Sequence, residues 1–199
     1  MESFKRAKLV KAIYNSDLVF FTNSTLQTLF GIKKKNTLLA VLRDLVESGI
    51  LGKLEKGKYF LLDADLDDFS LANFLHKPSF ISLETALNFY GILSQFPYET
   101  TSVTLKKKKE KIINEKVFVY LHIKPSLYWG YQKKKEFLIA EPEKAVLDQI
   151  YFTSCGWRRI NLEELNFERL NKKKLFFYAD KFPKTKRFLK SLKSLKKYF

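Results

Sequence analysis

The sequence predicts an α+β fold in two domains, and three observations predict it. Apolar residues recur at helical spacing in several stretches, Leu38, Leu42 and Leu45 being the clearest set. Short β-type runs bounded by glycine or charge, ILGKL, YFLL and VFVYLHI, stand between those helices. An acidic stretch, DADLDD at residues 63–68, interrupts the pattern and reads as a linker or the start of a helix. Its acids alternate, but the glycine and closing glutamate of a calcium loop are missing. The chain has 199 residues, enough for one large domain or two small ones. The boundary is placed here, giving domains at residues 1–66 and 69–199.

Composition narrows the function classes. With 46% hydrophobic residues the chain can bury real cores. No apolar run approaches the roughly 20 residues that span a bilayer, and the N-terminus, MESFKRAKLVKAIYN, is too charged for a signal peptide. A lone Cys155 cannot form an internal disulfide, which suits a reducing cytoplasm, and it reads as a small buried apolar residue. The net charge is +16, from 37 Lys+Arg against 21 Asp+Glu, and implies an anionic partner, most simply nucleic acid. Lysine outnumbers arginine 31 to 6. The charge is uneven: residues 1–76 carry +2, 77–152 carry +4 and 153–199 carry +10.

The first element is a helix over Phe4 to Tyr14, with Leu9, Ala12 and Ile13 on one face. In SDLVFFTNSTLQTLFGI, Asn23 or Ser24 can cap a short helix over Leu26 and Leu29, which Gly31 ends in a left-handed turn. Asn36 or Thr37 can cap the next helix, which runs to Ser48 and stops at Gly49. Then ILGKL, EKGK and YFLL read as two strands joined by a glycine turn. Helix, short helix, turn, amphipathic helix and hairpin is the order of a winged helix-turn-helix.

That order gives meaning to Lys33, Lys34 and Lys35. Cations at a helix start oppose the macrodipole, a local cost that DNA phosphates can offset where the second helix enters the major groove. With the three leucines inward, Asn36, Ala40, Arg43, Asp44 and Glu47 face outward at 100° per residue. Asn36 and Arg43 are the candidate base readers, since amide and guanidinium groups pair with purine edges. Ser24 and Thr37, at the helix starts, are further candidates, and Lys56 and Lys58 carry the hairpin tip to backbone or minor groove. The expected interface is therefore Ser24, Lys33, Lys34, Lys35, Asn36, Thr37, Arg43, Lys56 and Lys58.

In the second domain Ser82 can cap a helix bearing Leu83, Ala86, Leu87 and Tyr90, stopped by Gly91. SVTL is a strand before the basic run Lys106 to Lys109, and VFVYLHI at 117–123 is another. In FLIAEPEKAVLDQIYF, Pro142 fits a first helical turn and Glu143 complements its dipole. Lys144 and Asp148, four apart, read as an intrahelical ion pair. No catalytic constellation is expected. His76 and His122 lack partners at metal spacing, and no glycine-rich phosphate loop or serine elbow is present, so neither metal nor cofactor is expected. FPKTKRFLKSLKSLKKYF is a basic amphipathic helix with Phe188, Leu189, Leu192 and Leu195 on its apolar face. Docking on the second domain with a basic outer face is preferred to an added phosphate-binding surface or a membrane-surface helix.

The modules PSFISLETALNFYGI, TTSVT before a basic run, VFVYLHI and AEPEKAVLD, together with the N-terminal stretch from FTNSTLQTLFGI to GKYFLL, resemble the abortive-infection type E antitoxin family. The resemblance covers nearly the whole chain, although the chain is short for that family. It implies a cytoplasmic antitoxin of a type IV toxin–antitoxin system. Such proteins also repress their own operon by binding inverted repeats in double-stranded promoter DNA. It implies a nucleotidyltransferase-like toxin as functional counterpart, antagonised without a stable direct complex. Two other classes remain open: a DNA-binding regulator whose second domain senses a ligand or dimerises, and a nucleotide-processing enzyme. The next downstream reading frame discriminates the first class from the second.

Overall fold

A computed structural model describes residues 2–199, with side chains from residue 6 onward. The chain mixes α and β elements and divides into two compact units that succeed one another at Asp67/Asp68.

The first unit runs α1 (Glu2–Tyr14), β1 (Phe20–Thr22), α2 (Asn23–Phe30), α3 (Lys35–Glu47), β2 (Leu51–Glu55) and β3 (Lys58–Leu61). Its antiparallel sheet has the order β1-β3-β2, with Phe20 opposite Phe60 and Lys53 opposite Tyr59. Strand β1 is absent from the sequence reading because three residues are too few to show a period; its pairing with β3 defines it. Gly52 is demanded by close packing, since a Cβ there would stand 2.2 Å from the Phe60 ring. Ile13, Phe21, Leu26, Leu38, Leu42, Leu45, Leu51 and Tyr59 form the core. The three α3 leucines thus face inward as their spacing demands, each burial worth roughly 1.5–3 kcal/mol.

The second unit runs α4 (Asp68–Leu75), β4 (Ser79–Ile81), α5 (Leu83–Phe89), β5 (Glu99–Thr104), β6 (Lys109–Ile113), β7 (Lys116–His122), β8 (Tyr131–Lys134), β9 (Phe137–Ala140), α6 (Pro142–Ser154), α7 (Lys172–Ala179) and α8 (Lys186–Leu195). Six strands form one mixed sheet, β6-β7-β5-β4-β9-β8, in which β5–β7 and β4–β9 are parallel. The basic run at Lys106 to Lys109 ends inside a strand rather than in a loop. Lys109, Glu110 and Lys111 hide β6 from any hydropathy pattern, and their charge suits an edge strand that must not pair further.

Several sequence expectations for this unit change in the fold. Pro142 and Glu143 do open α6. Ser82 sits at the N-cap of α5, but its hydroxyl donates to Asp148 Oδ2 at 2.8 Å instead of capping the helix. Lys144 and Asp148 do pair, with both side chains fully buried. The Lys144 ammonium lies 5.5, 5.2 and 5.3 Å from the ring centres of Phe80, Trp129 and Phe182. Burial pushes the Asp148 carboxyl up and the Lys144 ammonium down, each opposed by its partner. Cys155 is exposed, not buried, because it caps the end of α6. Helix α8 packs on α6 through Phe188, Leu192 and Leu195, while Leu189 remains 43% exposed. A 100° step from Phe188 carries Leu189 off so narrow a stripe. Among the described residues no helix is long and apolar enough to cross a membrane.

Candidate nucleic-acid interface

Three segments of the first unit expose the residues expected at DNA: the start of α2, the turn and first half of α3, and the β2–β3 turn. Helix α2 is capped by Thr22, whose hydroxyl accepts the Thr25 N–H at 3.1 Å. Neither Asn23 nor Ser24 is the cap; both already lie within the helix. Ser24 is left exposed, its hydroxyl 2.8 Å from that of Thr22. Gly31, at φ +66°, closes α2 by donating its N–H to Gln27 O and Thr28 O.

The next segment is fastened from inside. Gln27 Nε2 donates to Lys33 O at 3.2 Å, and Ile32 N–H donates to Gln27 O at 3.2 Å. Helix α3 then begins at Lys35, one residue before Asn36 and two before Thr37, the expected caps. Lys34 is its N-cap and makes no side-chain capping bond; Asn36 and Thr37 occupy the second and third helical positions. A lysine cannot accept the first N–H groups as an Asn or Thr at the N-cap would. Lys33, Lys34, Lys35, Asn36 and Thr37 are all exposed.

Along α3, Asn36, Ala40, Arg43, Asp44 and Glu47 are exposed, as the inward leucines require. The charge changes sign along the helix, with lysines before and at its start and Asp44 and Glu47 near its end. Both ends carry the charge that the macrodipole disfavours, at roughly 0.3–1 kcal/mol for each group. Asp44 is joined by Arg6 of α1, whose Nε is 3.5 Å from Asp44 Oδ2.

The β2–β3 turn is tied to α2 by the Asn23 N–H, which donates to Gly57 O at 3.1 Å. Gly57 has φ +76°, and a Cβ there would press on the Asn23 side chain at 3.3 Å. Lys56 at the tip is exposed. Lys58 differs from expectation: it is half-buried and its ammonium is 2.9 Å from Glu55 Oε1, because residue 58 already belongs to β3. Its charge is spent largely within the hairpin.

No protein-family model matches the chain, and no curated protein does. Its fold is similar to the crystal structure of the Rv2827c protein from Mycobacterium tuberculosis, with a TM-score of 0.55 at 14% identity. The match covers 96% of this chain and 77% of that one. At this identity the likeness concerns the α+β fold.

Two residues that hold the candidate interface in place escaped the sequence. Gln27 lies six positions before the carbonyl it holds, and Arg6 lies in a different helix from Asp44. Neither pairing has a local spacing rule, so only the folded chain reveals it.

Proposed function

We propose that residues 1–67 are a winged helix-turn-helix that binds double-stranded DNA. The chain as a whole is then the antitoxin of a type IV toxin–antitoxin system that represses its own operon. The observation that carries the DNA reading is the exposed run from Lys33 to Thr37 at a helix start with no side-chain cap. Such an arrangement costs stability in the free protein and suits a groove flanked by phosphates. The order α1-β1-α2-α3-β2-β3, with sheet order β1-β3-β2, supports it. So does the exposure of Ser24 and Lys56 on elements joined through Asn23 and Gly57. The antitoxin reading rests on the resemblance of PSFIS, VFVYLHI and AEPEKAVLD to the abortive-infection type E antitoxins. Its counterpart is a nucleotidyltransferase-like toxin, antagonised without a lasting complex.

A gel-shift titration against promoter DNA tests the first half. Affinity should fall linearly on a log–log plot against salt, by a decade or more over a few-fold increase; a flat response overturns it. Asn36→Ala with Arg43→Ala should abolish specific binding, each contact being worth roughly 1–3 kcal/mol, with little change in folding midpoint. Growth rescue, with toxin and antitoxin on separate inducible promoters, tests the second half. The double variant should still rescue; a stable variant that fails ties antitoxin activity to DNA binding.

A further inference from the structure

Resting on the DNA reading, we propose that Arg6 is a further DNA contact. It is carried by α1, held at the flank of α3 by Asp44, and directed at a backbone phosphate. The first 67 residues hold eleven cations, of which only Arg6 and Arg43 are arginines. Both come to α3: Arg43 on its exposed face, and Arg6 through the carboxylate of the very next residue. Unlike lysine, arginine carries a planar fork that can serve two acceptors. The guanidinium meets Asp44 through Nε, one of its five donors, so the same group can hold the carboxylate and a phosphate together. The Arg6 side chain keeps 41% of its surface exposed, so an anion can reach it.

The geometry also accounts for Asp44. A carboxylate in the third turn of a groove-entering helix would repel the backbone. Paired with Arg6 it presents a guanidinium on that flank, the side of α3 that also carries Thr37, about two turns earlier. Lys8, two residues along α1 and 200° around it, is exposed on the other side and supplies the internal control.

The test is the salt dependence of promoter binding by the full chain. Arg6→Gln should flatten the log–log slope by about 0.9, one phosphate contact, and weaken binding several-fold at about 0.1 M salt. Arg6→Lys should restore the slope and part of the affinity, and Lys8→Gln should leave both at the wild-type values. Circular dichroism melting confirms that each variant folds. An unchanged slope in Arg6→Gln, or equal losses in Arg6→Gln and Lys8→Gln, overturns the contact while leaving the DNA reading intact. A flat wild-type response overturns the DNA reading itself.

Discussion

Lys144, a lysine with no exposed surface, sits in the core of the second unit. Lys144 and Asp148 lose their hydration together and recover it from each other, from the Ser82 hydroxyl and from three ring faces. Removing one partner strands the other. Lys144→Ala should therefore cost about 3–5 kcal/mol, and Lys144→Met with Asp148→Leu should recover most of it. Urea denaturation of the three proteins decides this; an equal loss in single and double variants would refute it. Tyr128 supplies a pH test nearby. Burial, helped by Tyr131, pushes its phenol from 10.0 up to about 12. The folded chain then keeps a proton that the unfolded chain releases, so stability is lost as pH rises between about 10 and about 12. Phenolate absorbance should lag behind that of free tyrosine, and Tyr128→Phe should shrink the alkaline loss.

Helices α2 and α3 make contrasting elements. Thr22 caps α2, and Thr22→Ala should cost about 1 kcal/mol through the lost acceptor for the Thr25 N–H. Helix α3 has no such cap, so Lys34→Asp should stabilise the unit by roughly 0.5–2 kcal/mol while weakening DNA binding. A variant that gains stability and keeps full affinity would show that the lysine run serves no anion. Inside the same helix, Leu42→Ala should cost about 2–5 kcal/mol, since its site is closed by the rest of the core.

At the scale of the whole molecule the charge is divided unequally: residues 68–199 hold 26 of the basic and 13 of the acidic groups, a net +13. The unit proposed to bind DNA carries the small remainder, so its interface depends on placement rather than on total charge. Among the described residues the core of the first unit draws on residues 10–61. Leu42→Ala should therefore speed amide exchange in the strands and helices of residues 1–67, with β5 and β7 holding their protection. Hydrogen exchange read by mass spectrometry checks it. Equal acceleration in both units would mean that they unfold as one.

Periodicity and turn chemistry determined the larger elements. Leu38, Leu42 and Leu45 face inward, Gly31 ends α2, Gly49 at φ +71° follows the Ser48 cap of α3, and Pro142 opens α6, because each effect acts within a turn or two of chain. The outward set on α3 follows from the same geometry, which is why most of the candidate interface was legible. Tertiary structure decided what depends on distant partners. Strand β1 exists through β3, and charged β6 through β7. The Ser82 hydroxyl turns from its helix to Asp148, 66 residues away. Arg6 crosses to Asp44, 38 residues away, while hairpin pairing sets Lys58 opposite its near neighbour Glu55. A hydroxyl or a charged side chain has several acceptable acceptors, and only the packed chain selects among them.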